Sequence, residues 1–595
     1  MKYSIFAVYS IILSLSFSCA VNKEITTKEL TKHVRYLASD DLEGRMTGSA
    51  GDSLAAVYIK KQLSAYGLVP LSGDGFDRFK YNNKVSLGNG NMFSVDNVSF
   101  TSGNDFTPTA FSENSTARSE VAFTGYGFRI NNDSLKWDDY KDIEVRNKWV
   151  MILRSSPDLD DPSSKFATFI NDRNKAMLAK DLGATGVLFV SAEAFDKDDR
   201  LDALAKGGYS VGIPVFYIKR KVADAILAKA GVTINDLSNK LNTSSKPGSF
   251  LTGSTVEAKS DIVKNMAGTR NVVMLLPGED TNLKNEYLIF GAHFDHLGMG
   301  GPGSGSRAVD TIGVHYGADD NASGSALIIE LAGKFAGTKN SHKRSIIFMT
   351  FSGEEEGLLG SKHFVENPPI DLSKTNAMIN LDMVGRLSVT KNLQMGGVGT
   401  ADGLKERALA VVDTNKLRLA FTEDGSGASD HTSFYDKNMP VIYFTTGTHE
   451  DYHTPADSWD KINYQGMVNI GDLIFKMTSD IANDSARLKF KEAGPQAQAN
   501  QPPRRRGVTI GIMPDVTGSV ENGLKVEAVT AGRQAAIGGM KKGDIIISVD
   551  GKPVNNIGDY MFRMSQLKTG QSINIEVLRD GKNQVLIIQL EKDKR

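Results

Sequence analysis

Three short apolar runs, each stopped by an acid or an imidazole, constrain this chain more than any other feature. YLIFGA runs into His293, SIIFMTFSG into Glu354 and Glu355, and AMINL into Asp382, while GADDNASG places Asp320 between the first two. Runs of this length bounded by glycine and polar residues read as buried strands, and Leu327, Leu331 and Phe335 recur at helical spacing between them. Strands alternating with helices predict an α/β domain on a mainly parallel sheet. In such sheets ligands gather beyond the carboxyl ends of the strands, which is where these groups fall.

The residue types point to a metal. His293, Asp320, Glu355 and Asp382, joined later by His453, offer imidazole nitrogen and carboxylate oxygen but no sulfur, a set suited to zinc or manganese in a catalytic site. Five side chains are one too many for a single tetrahedral ion with an open position. Two ions sharing a bridging carboxylate use them all, and such a pair activates a water and clamps both oxygens of a displacement.

These motifs resemble the co-catalytic dizinc aminopeptidase family, which also holds glutamate carboxypeptidase II and glutaminyl cyclase branches. The likeness extends over most of residues 27–115 and 258–487. It implies the zinc exopeptidase fold, a mixed, mainly parallel sheet with helices on both faces. It implies one zinc on His293 and Asp382, a second on Glu355 and His453, Asp320 bridging, Glu354 as general base, and Asp295 orienting the His293 imidazole. The choice of Asp320 over its neighbour Asp319 rests on register with the family motif. Asp430 and His431, in the run SDHTSFY, match a segment near the substrate pocket and are expected to support the ligands, to contact substrate or to serve structure. Arg45 and the acids of LASDDLEGRMTGS are expected to form a structural loop over the site.

Two motifs are set aside on context. His449 to His453 spells HExxH, which on a helix would bind one zinc through both histidines, but Gly447 and Pro455 leave no room for a helix. The glycine-rich stretch between His296 and Asp319 has spacings of a dinucleotide loop without the helix that should follow, and reads as a loop at the rim of the site. Asp320 is expected to begin the helix that carries Leu327, where the dipole favours a carboxylate.

The rest of the 595 residues requires several domains. Residues 1–19 read as an export signal, Lys2 followed by an apolar run too short to span a bilayer. Cys19, the only cysteine, follows LSFS as in a relaxed lipobox, which would lipidate it and anchor the chain to the cell envelope. An ordinary signal-peptide cut after Ala20 is the alternative, and both export the protein. Residues 22–115 open the peptidase domain, with two helices before Gly67. Residues 116–257 resemble an inserted protease-associated domain, by GYGF, KWVMIL and LGATGVLFV, with strands alternating with one helix. Residues 258–487 complete the peptidase and close on a helix carrying Met467, Ile470, Ile474, Met477 and Ile481. A Pro/Gln-rich linker at 488–506, with Arg504 to Arg506, leads to 507–595. This last segment resembles a PDZ domain through GMKKGDIIISVDGKPV. Such a domain captures a peptide carboxyl terminus by strand addition, here near Ile510 to Met513.

With 69 basic and 70 acidic residues the chain has no global field to recruit nucleic acid, and no such partner is expected. The expected function is that of an exported zinc exopeptidase, foremost an aminopeptidase, acting on peptides through a water activated by two zincs. A carboxypeptidase of the same family, a single-zinc acyl-transfer cyclase and a non-catalytic scaffold are the alternatives.

Overall fold

The structure is a computed structural model that describes residues 23–132, 135–159, 161, 163–204, 209–493, 508–515, 520, 522–530 and 532–590. The export signal with Cys19, and Arg504 to Arg506, lie outside these residues. None of the described helices is long and apolar enough to cross a membrane. The chain divides into two units, one of residues up to 78 with 270–493, the other of 79–269 with 494–595.

In the first unit four strands run parallel side by side, in the order Ser345–Phe351, Tyr287–His293, Thr375–Leu381 and Val441–Thr445. Ile262–Leu276 adds antiparallel on one side, and Asn392–Gly396, followed by Arg418–Phe421, on the other. Ser345–Phe351 and Thr375–Leu381 are buried along their whole length, as parallel strands covered on both faces must be. The helix Gly324–Gly337 is buried from Gly324 to Phe335, and Phe335 packs on Phe290 and Phe348 of the sheet. The closing helix Tyr464–Asn483 buries Met467, Ile470, Ile474, Met477 and Ile481. Thr27–Leu37 and Ala50–Ala65 are the two opening helices, and Gly67 stands after the second at φ 86°, a conformation glycine adopts without strain.

One expectation for this unit fails. The helix that carries Leu327 begins at Gly324, not at Asp320, because Asp320 and Asn321 have extended and bridging backbone angles (φ −104° and −135°). Asp320 therefore stands on an irregular turn ahead of the helix rather than on its first turn.

The second unit holds an eight-stranded sheet in which Thr116–Phe123, Trp149–Leu153, Gly186–Val190 and Val215–Ile218 run parallel. Met92–Val95, Val98–Ser99 and Phe106–Pro108 also join it, ahead of residue 116. Three helices pack here, Asp172–Asp181, Arg220–Leu227 and Ile234–Ser244, where the sequence reading expects one. The third carries its own start signal, a capping box between Thr233 and Asp236.

The described residues from 508 to 590 include a small sheet whose outermost strand, Ile512–Pro514, pairs among the described residues on one side only, with Leu524–Val529. The helix Ile557–Ser565 lies against the helix Asp172–Asp181 of the same unit. Arg173 reaches Asp559 at 2.7 Å and Arg563 reaches Asp181 at 3.0 Å, while Phe562 is buried in the cluster formed by Tyr140, Met177 and Val211.

Candidate metal centre

Every residue singled out at a strand end comes to one place. His293 is the last residue of its strand, Asp382 follows Leu381, Glu354 and Glu355 follow Phe351 after a two-residue turn, and His453 lies on the loop after Val441–Thr445. Asp320 sits at the centre. One of its carboxylate oxygens is 3.2 Å from His293 Nε2, and the other is 3.1 Å from His453 Nε2. Asp382 Oδ1 is 3.3 Å from the same His293 nitrogen, and Glu355 Oε2 is 3.2 Å from the same His453 nitrogen. Thus Asp320 faces two sets of donors at once. Asp319 points elsewhere, to the Gly385 N–H at 2.6 Å and to His449 at 3.3 Å.

His296 was not among the expected residues, yet its Nδ1 lies 2.8 Å from Glu355 Oε1 and 3.7 Å from Asp320 Oδ2. Two groups of donor atoms, His293 with Asp320 and Asp382, and His296 with Asp320 and Glu355, each lie within 4.8 Å of one another. Its signal was its place in the same run, GAHFDH.

The supports come from distant segments. Asp457 Oδ2 accepts the backbone N–H groups of Asp319 and Asp320 at 2.9 and 3.1 Å, so it fixes the turn that presents the central carboxylate. Ser429 donates to Asp382 Oδ2 at 2.6 Å. Asp295 accepts from Thr47 at 2.9 Å and from the Glu354 N–H at 3.1 Å. His293 Nδ1 lies 3.2 Å from the Asp295 carbonyl and 3.7 Å from its carboxylate. Arg45 is fully buried and donates to the carbonyls of Phe294, Tyr316, Gly317 and Leu37, joining the strand end at His293 to the turn before Asp320. His431 stacks on Tyr443 with ring centres 4.5 Å apart, and burial pushes it down to about 3, so it is a neutral packing group. His449 to His453 form a turn rather than a helix, so the HExxH spacing has no helical meaning here.

The residues fit a metal. Asp320 Oδ2, Asp382 Oδ1 and His453 Nε2 are buried and, although they lie close to one another's side chains, make no hydrogen bond of good geometry among the described residues, a costly arrangement unless a cation satisfies them. Burial disfavours a charged His293, but Asp382, Glu354, Asp295 and Asp320 outweigh it and hold its pKa well above the ordinary value. For His453 burial is likewise outweighed, by Asp320 and Glu355, and its pKa rises to about 10. Burial, with Glu355, Asp382 and Asp430 alongside, raises the Glu354 carboxyl well above the usual range although His293 pulls it down. A cluster this rich in carboxylate favours whatever positive charge it can gather, and metals displace protons from such donors.

The model of peptidase family M28 matches residues 271–478, and the PDZ domain model matches 508–590. This chain carries an M28 peptidase domain followed by a PDZ domain. Among relatives, the aminopeptidase YwaD of Bacillus subtilis is 27% identical over 318 residues, 49% of this chain and 66% of its own length. A probable leucine aminopeptidase of Arthroderma otae is 25% identical over 237 residues, 38% of this chain and 60% of its own length. The matches therefore span less than two thirds of these relatives. Among solved structures, an aminopeptidase from Aneurinibacillus sp. strain AM-1 superposes with a TM-score of 0.45 at 21% identity, covering 82% of this chain and 99% of the other.

Proposed function

We propose that this M28 domain is a two-zinc exopeptidase, and specifically an aminopeptidase. The observation that carries the reading is Asp320, whose two oxygens face His293 with Asp382 on one side and His453 with Glu355 on the other. His293 and Asp382 would hold one zinc, Glu355 and His453 the other, with Asp320 shared and His296 steadying Glu355. Bound there, the zinc pair supplies Lewis acidity toward the scissile carbonyl and makes water acidic enough to attack at neutral pH. Glu354 takes the proton of the attacking water and returns it to the leaving amine.

The relatives' names, aminopeptidase and probable leucine aminopeptidase, support release of amino-terminal residues. Residues 116–257 are, in this reading, a protease-associated domain, and the edge at Ile512–Pro514, unpaired among the described residues, a seat for a peptide carboxyl terminus. Export, with anchoring through a lipidated Cys19, rests on the sequence of residues 1–19.

The test is hydrolysis of one peptide in free, amino-acetylated and carboxyl-amidated forms while zinc is titrated in. Cleavage lost on acetylation alone, with two zincs per chain at full activity, is the expected result. Loss on amidation alone would replace the aminopeptidase by a carboxypeptidase, and no cleavage of any form would favour the cyclase or the scaffold.

A further inference from the structure

The glycine-rich stretch after His296 does more than border the site. Gly298, Gly300, Gly301, Gly303 and Gly305 all have positive φ, and the loop they form closes on itself through His315 N–H to the Gly298 carbonyl at 2.9 Å and Gly313 N–H to the Met299 carbonyl at 2.9 Å. At its far end Gly305 and Arg307 grip His453. The Gly305 carbonyl lies 3.2 Å from His453 Nδ1, and the Arg307 N–H donates to the His453 carbonyl at 2.9 Å. The residue between them, Ser306, is buried and places its hydroxyl 2.7 Å from Nε2 of His315.

The donors order themselves. A carbonyl only accepts, so His453 keeps a proton on Nδ1, toward Gly305, and Nε2, which faces Asp320 and Glu355, is the nitrogen that a metal would strip of its proton and use. By the same argument His315, fully buried with Nδ1 at 3.0 Å from the Gly313 carbonyl, presents a bare Nε2. Ser306 must then spend its single hydrogen on His315 and accept from the Ala308 N–H at 3.0 Å. The seat of His315 is tight, since a Cβ on Gly300 would lie 2.1 Å from its ring.

We infer that Ser306 and His315 form a positioning pair, which anchors the Gly305 to Arg307 segment so that it holds the backbone and the tautomer of His453 from outside the carboxylate cluster. The backbone of His453 itself is in the left-handed region, at φ 56°, which a non-glycine residue keeps only when its surroundings impose it. The inference rests on the reading of His453 as a zinc ligand, and the pair touches neither substrate nor metal.

Zinc titration of the metal-stripped full chain by calorimetry tests it. The wild-type chain is expected to show two binding events and His453→Ala to lose one of them. Ser306→Ala should weaken that same event about 10- to 100-fold, the range for loss of a partner that orients a ligand, and leave the other unchanged. Ser306→Thr, which keeps the hydroxyl, should restore it. His315→Phe fills the buried seat with a ring but removes the acceptor, and should act as Ser306→Ala does. Two unaltered events in Ser306→Ala and His315→Phe would overturn the inference, as would equal weakening of both events, which marks a general loss of structure. Two intact events in His453→Ala would overturn the ligand reading itself, and the inference with it.

Discussion

The two imidazoles that face Asp320 are held by different means. His293 ends a strand buried between two parallel neighbours, and its ring backs onto Asp295. His453 sits on a turn with a positive φ, and its ring backs onto a carbonyl of another loop. The first half of the site is a by-product of the sheet, since any residue at that strand end would occupy that place. The second exists only while two loops stay fastened to each other. A metal centre can thus combine one half set by the core with one set by hydrogen bonds at the rim, and the halves should fail separately.

The largest effect is expected from a group belonging to neither half. Glu354→Gln should lower kcat by about 10³-fold, within the range for removing a positioned acid–base group, with both zincs retained. An active variant would take the proton transfer away from Glu354. Next comes Arg45→Met, which removes the side-chain donor from the carbonyls of Leu37, Phe294, Tyr316 and Gly317 and should cost about 3 kcal/mol of stability, read by urea unfolding. Because Arg45 binds the backbone on both sides of the His293 half, a stable variant would show that the sheet alone suffices there. Asp295→Asn should weaken zinc at the His293 position about 10-fold or more, with little change at the other. The smallest effect is expected from Gly300→Ala, whose methyl would displace the His315 ring. It should cost about 1 kcal/mol at most in zinc binding at the His453 position, at the low end for crowding a packed seat, and a measured effect on the His293 position instead would erase the contrast between the halves.

The same contrast separates what could be read from the sequence. His293, Glu354, Glu355 and Asp382 were legible because each directly follows a run apolar enough to be a central strand, so that a one-dimensional pattern fixes a three-dimensional edge. Asp320 was legible as a residue but not in its backbone: its turn is held by the Asp457 carboxylate, which lies 137 residues further along, and nothing within ADDNASG announces that contact. His296 was visible within GAHFDH but had no expected role, since the pairing with Glu355 depends on how two strand ends lie side by side. The glycine-rich loop could be placed at the rim, yet its Ser306 and His315 look ordinary until the fold brings them together. The two extra helices of the second unit differ in kind, because their signals, the capping box at Thr233 and the apolar spacing of Val222 and Ile226, are local.

The Phe562 side chain, seated among Tyr140, Met177 and Val211, bears on how this chain can be handled. The PDZ domain supplies part of another domain's interior, so a chain cut before residue 508 would bare an apolar socket and leave Asp181 and Arg173 without their partners. Such a fragment should self-associate and be poorly soluble, and shortening the protein to its peptidase domain would require refilling that socket or removing residues 79–269 as well.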